Sequence, residues 1–378
     1  MVNAALLDRP SEAAPATAPI AANVFVRAAR ETRLPFADDT TQIGSSSVQK
    51  GPFDVTPIGF LRHLVIDVET DGTGAGGSAV ADEDAPWNVL QDVKLNDTTG
   101  APLLGPLSGY HLYLINKWGA YVHGVYDPAL YPSYSAMDAN GEFKFKLRVP
   151  VEITSRDGLG SMPNLNSAST WKFSYNVASE GLVYSTPPVT TTPAVRVKVS
   201  IEAWSQPGPT DAFGTPNMTN PPLVGTTQYW TSQPINVSAG EQRLQFQKIG
   251  NHVRNMILVY RDDAAGADRN SAEFPDELRL EFDNIVMDTW SKRLWADQMY
   301  ERFGQVADTG VYVLDYTHDA DGTPGNENRH GWVKTTNGSK FQLIGNFTGT
   351  GGVLTVLTND IAVRGASAIT AGGAGPAN

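Results

Sequence analysis

HLVIDVETDG, residues 63–72, reads in two ways, and the choice between them decides the fold. Asp67 and Glu69 stand two apart, so on a strand both carboxylates leave the same face. A two-metal nuclease needs that geometry from its first acidic pair. Leu64, Ile66 and Val68 alternate with them, which is the pattern of a strand with one face in a core and the other in water. The nuclease reading also requires further acids and a His or Tyr carried on helices. Residue 70 is followed instead by a Gly/Ala/Asp loop, DGTGAGGSAVADEDAP (71–86), and helical patterning is nearly absent from the chain. His63 and Val65 share the carboxylate face, so the stretch reads as the wet side of a strand rather than a metal site.

The same alternation extends in both directions. IGFLRHLVIDVE (58–69) sets Ile58, Phe60, Leu64, Ile66 and Val68 on one side. GEFKFKLRVPVEI (141–153) sends Phe143, Phe145 and Leu147 one way and Lys144, Lys146 and Arg148 the other. GYHLYLIN (109–116), TWKFSYNV (170–177), AVRVKVSIEAW (194–204), NMILVYRDD (255–263), ELRLEFDNIVM (277–287), GVYVLDY (310–316) and GVLTVLT (352–358) continue the series as candidate strands. Gly and Pro, 36 and 25 of the 378 residues, cluster between these segments. The pattern predicts an all-β sandwich or barrel with long loops, and the length allows about two domains at roughly 100–200 residues each.

An internal repeat points to two sandwiches in tandem. NVLQDVKLNDTTG (88–100) and NMILVYRDDAAG (255–266) are both Asn-led strands that end in an acidic, small-residue turn. Each leads to a second strand, GYHLYLIN or ELRLEFDN, and then to a tryptophan, Trp118 or Trp290. One segment breaks the strand pattern: in TWSKRLWADQMYERFG (289–304), Trp290, Leu294, Trp295, Met299 and Phe303 recur at helical spacing. Asp288 or Thr289 is its expected N-cap, Gly304 its stop, and its apolar side is expected to pack on the outside of a sheet.

Composition narrows the function. A net charge of −12 repels phosphate, so a nucleic-acid groove is not expected. The chain has no cysteine, which excludes disulfides and thiolate metal sites. No run of 18 apolar residues is present, and the first 25 residues, with Asp8, Glu12 and scattered prolines, lack the basic start and apolar stretch of a signal peptide. The six histidines show no H-x-H or H-E-x-x-H spacing, so no zinc or iron site is predicted. Asp319, Asp321, Asn326 and Glu327 offer hard oxygen ligands for a calcium ion in the loop 318–331, outside any EF-hand register. Glu142, Glu281 and Asp283 carry no signal that separates them from strand-surface charges, and no nucleophile-elbow, phosphate-loop or dinucleotide motif occurs. No catalytic residue and no cofactor are assigned, which favours a structural or binding role. The competing class is a secreted or surface β-sandwich that binds or hydrolyses glycans.

Several ordered landmarks together carry a resemblance. FDVTP (53–57) leads into the long strand, GYHLYLIN follows, and then come NHVRNMILVY (251–260), a helix opened by Thr289-Trp290, and GVY (310–312). In this order, over about residues 20–316, the chain resembles the double jelly-roll major capsid proteins of membrane-containing icosahedral viruses, with a tectivirus-like arrangement. The resemblance implies two tandem eight-stranded jelly rolls with an N-terminal helical arm and a few short flanking helices. It places an arm at 1–48, the first roll at 49–207, the second at 208–365 and a flexible tail at 366–378, with the inter-roll connection inside 205–227. It further implies a homotrimeric, pseudo-hexagonal capsomer in the shell of a dsDNA bacteriophage-like virion. Partners would be neighbouring capsomers, internal membrane lipids and minor capsid or vertex proteins, and synthesis would be in the host cytoplasm. In ANVFVRAARETRL (22–34), Arg27, Arg30 and Arg33 are spaced to lie along one side of a helix, facing the membrane or capsomer base.

Overall fold

The computed structural model describes residues 21–119, 127–223, 225–246, 250–262, 268–317, 331–335, 340–349 and 351–362. Its long strands fall into two sets of eight. The first comprises β1 (Glu31–Gln42), β2 (Val48–Asp54), β3 (Phe60–Thr70), β4 (Leu90–Asn96), β5 (Pro102–Leu107), β6 (Lys144–Pro150), β7 (Lys172–Val177) and β8 (Ala194–Trp204). The second comprises β9 (Thr227–Val237), β10 (Gly240–Gln245), β11 (His252–Asp262), β12 (Glu277–Phe282), β13 (Ile285–Ser291), β14 (Val311–Asp315), β15 (Phe341–Phe347) and β16 (Gly352–Ala362). The helices are α1 (Phe25–Ala28), α2 (Gly109–Trp118), α3 (Glu180–Val183) and α4 (Lys292–Phe303).

Sheet order identifies the architecture. The first set forms β1-β8-β3-β6 facing β2-β7-β4-β5, and the second forms β9-β16-β11-β14 facing β10-β15-β12-β13. Both sets thus pair first-eighth-third-sixth against second-seventh-fourth-fifth, which is a jelly roll, and the chain is a double jelly roll. The rolls share one continuous sheet, because β5 and β9 meet in parallel at Leu104 and Trp230.

The alternation that set the strands also sets the cores. Val195, Val197, Val199 and Ile201 of β8 are buried, while Arg196 and Lys198 between them are exposed. In β3 a bulge changes the expected face. Glu202 pairs with His63 and Ala203 with Leu61, so Arg62 is the extra residue and the side-chain phase flips there. Leu61 therefore joins Leu64, Ile66 and Val68 in the core. Phe60, expected beside them, packs instead edge-on to Phe25 of α1 at 5.1 Å.

Other expectations are corrected by the same register facts. β11 has its own bulge, between Val253 and Asn255, and there too an arginine, Arg254, is the extra residue. The equivalent segments of the two rolls are hence LRHLVIDVE (61–69) and VRNMILVYR (253–261), the opening stretch and its echo, and not residues 88–100 with 255–266. GYHLYLIN is not a strand: it forms most of α2, which follows the fifth strand of the first roll as α4 follows that of the second. Of the N-terminal arm expected to be partly helical, residues 1–20 lie outside the described residues, and the described part gives the single turn of α1, then β1, because Glu31–Gln42 pairs along its whole length with β8. The first roll therefore begins well before residue 49. The described residues between β8 and β9, 205–223 and 225–226, form no helix or long strand and join the rolls.

Candidate functional site

Two surfaces stand out: the charged outer face of the first roll, and the seam between the rolls. On the outer face, Asp67 sits between Lys146 and Lys198, and Glu69 between Lys144 and Arg196, on the flanking strands. Lys144 Nζ lies 2.9 Å from Glu69, and Arg196 reaches Glu69 at 3.5 Å and Asp38 at 2.6 Å. The hydrogen bond from Lys144 holds the Glu69 carboxyl below its ordinary range. A divalent ion would have to displace this ladder of cations, and among the described residues no cluster of three or more His, Asp or Glu is placed to hold a metal. Deeper on the same face, buried Glu202 gathers Arg33, His63 at 3.5 Å and Arg148 at 3.7 Å.

The seam is built around α2. Ser108 caps it, its hydroxyl accepting from the His111 N–H at 3.1 Å. Nine of the ten helical residues are buried, which is the mark of a helix enclosed on all sides. Trp87 stacks on Tyr113 at 4.3 Å on the first-roll side. On the second-roll side, Trp118 meets Phe303 of α4 edge-on at 5.3 Å. Lys117, 5% exposed, places Nζ 2.9 Å from Asp308 and 3.3 Å from Asp127. At one end of the seam Arg261 and Arg269 engage Glu83 and Asp84, with Arg269 lying 4.8 Å over the Tyr110 ring. At the other end the Gln228 amide donates to the Glu152 carbonyl at 2.6 Å. His111 borders the polar cavity at the Arg261 end; burial, with Arg261 beside it, drives its pKa down to about 4.

The remaining candidates are scattered. Arg27 and Arg30 are exposed, on α1 and just after it, whereas Arg33 lies on β1 and pairs with Glu202, so the three do not form one helical side. In α4, Trp295, Met299 and Phe303 are buried, Leu294 is 57% exposed, and Trp290 belongs to β13, stacking on Trp295 at 5.9 Å. The helix begins after Ser291, later than expected, because Thr289–Ser291 still pair with β12; Gly304 ends it at φ 66°. A groove of about 490 Å³ opens beside Trp290, Trp295, Arg302 and Tyr316. Glu142 accepts from the Gly72 and Gly74 N–H groups, Glu281 from Gln342, and Asp283 from the Lys340 N–H, so each carboxylate serves a local turn or ladder. Asp319, Asp321, Asn326 and Glu327 lie outside the described residues. Sequence reading missed the seam residues Lys117, Asp308, Arg261 and Arg269. A sequence signal for the repeat existed in the shared apolar-Arg-polar start of residues 61–63 and 253–255.

No family model matches the chain, and no curated protein matches it. Solved structures do. The STIV MCP aligns over 90% of this chain and 99% of its own, at TM-score 0.64 and 11% identity. The PBCV-1 virus capsid aligns over 88% and 93%, at TM-score 0.56 and 10% identity. The major capsid protein P2 from bacteriophage PM2 covers 89% and 99%, at TM-score 0.50 and 9% identity. The chain has the fold of double jelly-roll major capsid proteins over most of its length. A likeness to PNGase F reaches a TM-score of only 0.31 and carries no argument for glycan chemistry.

Two outcomes are expected at the seam. Lys117→Ala leaves the Asp308 carboxylate without its cation at a largely buried contact, while Asp127 keeps the Tyr113 hydroxyl and the Ala129 N–H, and it should lower stability by about 3 kcal/mol in urea unfolding; adding Asp308→Ala should then cost little more, because the cation is already gone. For His111 the folded pKa is depressed from 6.5 to about 4. The unfolded chain takes up a proton near 6.5 that the folded ring refuses until about 4, so this contribution to stability is complete above 6.5 and is lost as pH falls through that window. Denaturant midpoints measured from pH 7 to pH 4 should fall less steeply in His111→Gln than in the parent.

Proposed function

We propose that this chain is the coat protein of an icosahedral virus, acting through self-association rather than catalysis. The observation that carries the reading is the match of two complete jelly rolls, joined through a packed seam, to capsid proteins along nearly their whole length. In this reading three copies form a capsomer of six rolls with a pseudo-hexagonal outline, and capsomers tile the facets of a virion shell. The arm and the 205–226 connection lie at one end of the first roll, where Asn23 bridges to Asn217 and Phe25 is buried against Phe60. That end is the capsomer base, the rolls standing upright over an internal membrane in the virion of a dsDNA virus. Arg27 and Arg30 are the cations available there for anionic headgroups, while Arg33 is occupied by Glu202. Minor capsid and vertex proteins would contact the assembled tile, and synthesis would precede assembly in the host cytoplasm.

Light scattering on the purified protein tests the assembly: a stable species near three times 40.6 kDa is expected, and a monomer across the micromolar range contradicts it. For the base, each arginine is worth about 1 kcal/mol at an anionic surface, so Arg27→Ala/Arg30→Ala should weaken flotation with phosphatidylserine vesicles by roughly 30-fold. Equal flotation of parent and variant would remove the lipid contact from the account.

A further inference from the structure

The flank that the first roll buries against the second has a counterpart on the second roll that none of the described residues covers. Both helices start at a serine N-cap, Ser108 for α2 and Ser291 for α4, after the fifth strand of their roll. Counting from those caps, Leu104, Tyr110, Lys117 and Trp118 correspond to Met287, Arg293, Tyr300 and Glu301. The first four are seam residues, exposed by only 1%, 3%, 5% and 0%. Their counterparts lie open: Met287 is 46% and Tyr300 60% exposed, and Arg293 and Glu301 are exposed as well. Ile285 and Val286, beside Met287 on the edge strand β13, are 70% and 49% exposed. Adjacent exposed apolar residues on an unpaired sheet edge mark an interaction surface.

The receiving face is duplicated in the same way. In the seam Trp230 of β9 is the strand partner of Leu104, and across the sheet it opposes Asn359, which in turn opposes Asn255, the first residue after the bulge. In the first roll the first residue after the bulge is His63, opposed by Glu202, which is opposed by Arg33. Arg33 therefore stands where Trp230 stands, on the outer edge strand β1, with its side chain 61% exposed. The surrounding face differs in chemistry. Val259 and Thr355 of the second roll are covered, while their counterparts Asp67 and Lys198 are half-buried and exposed. A charged face keeps a subunit soluble until a partner arrives, whereas the seam inside one chain can be dry from the start.

We infer that a second copy of this chain docks its β13 edge and α4 onto the β1 edge and outer sheet face of the first roll, repeating between copies the joint that β5 and α2 make with β9 within one. This rests on the coat-protein trimer reading and names the surface that would build it. The joint is head to tail, each copy offering one docking flank and one receiving face, so three copies close a ring with every such surface used.

The chain has no cysteine, so an engineered pair reports its own contact. Arg33→Cys combined with Met287→Cys, and separately with Val286→Cys to allow a one-residue slip, should give a disulfide-linked trimer on oxidation with copper phenanthroline. Each single variant should give none. As an independent check, Met287→Arg changes only an exposed side chain and should keep the parent far-UV circular dichroism and a cooperative unfolding transition while the trimer is lost in light scattering. A parent that is trimeric yet yields no cross-link with either pair overturns this joint and leaves the trimer standing. A monomeric parent overturns both.

Discussion

Everything in this molecule depends on how α2 is enclosed. A jelly roll is a closed unit whose two sheets bury their inner faces against each other, and two such units in one chain need no fixed relation. Here the relation is fixed because the helix after the fifth strand of the first roll is buried on all sides. Trp87 and Tyr113 stack behind it, Trp118 meets Phe303 in front of it, and Lys117 reaches the carboxylates of Asp127 and Asp308. The strand contact at Leu104 and Trp230 then runs one sheet through both rolls. Ion pairs of Arg261 and Arg269 with Glu83 and Asp84 close one end, and Gln228 with the Glu152 carbonyl closes the other.

Strands that bury one face and wet the other, such as β6 and β8, were legible from their alternation. In β3 the alternation holds past the bulge, and Asp67 and Glu69 lie on the outer face that their spacing suggested. The helix was not legible, and the reason is physical. GYHLYLIN is short and mostly apolar, with Tyr110, Leu112 and Leu114 alternating as strand residues would, and a run of that kind fits strand and helix equally. α4, with one face on the sheet and the other open, keeps a helical period at Trp295, Met299 and Phe303, and it starts later than Thr289-Trp290 because those residues still pair with β12. The bulges at Arg62 and Arg254 hid in a similar way: one inserted residue flips the phase of the strand, so Phe60 was assigned the wrong face. That slip also hid the true repeat, since aligning strands by their acidic ends rather than by their arginines pairs the wrong members. Lys117 and Asp308, far apart in sequence, carried no signal before the fold brought them together.

The two rolls make opposite use of the same design. In the second roll the outer face of the first sheet carries Ile257, Val259 and Leu357, all fully buried. In the first roll the equivalent face carries Asp67, Lys198 and their neighbours, balanced across strands by opposite charges. Duplication supplies the geometry, and composition makes the face enclosed in the second roll apolar and the open face in the first roll charged. In the proposed assembly, the net charge of −12 on each copy opposes association that specific contacts do not outweigh.

The central claim, that this fold is a tile, is tested most directly by electron microscopy of the purified protein in the absence of any shell. The account expects particles with a pseudo-hexagonal outline, six lobes of equal size around a centre, each lobe one jelly roll. Particles showing two lobes, at concentrations where the protein is folded, would contradict it.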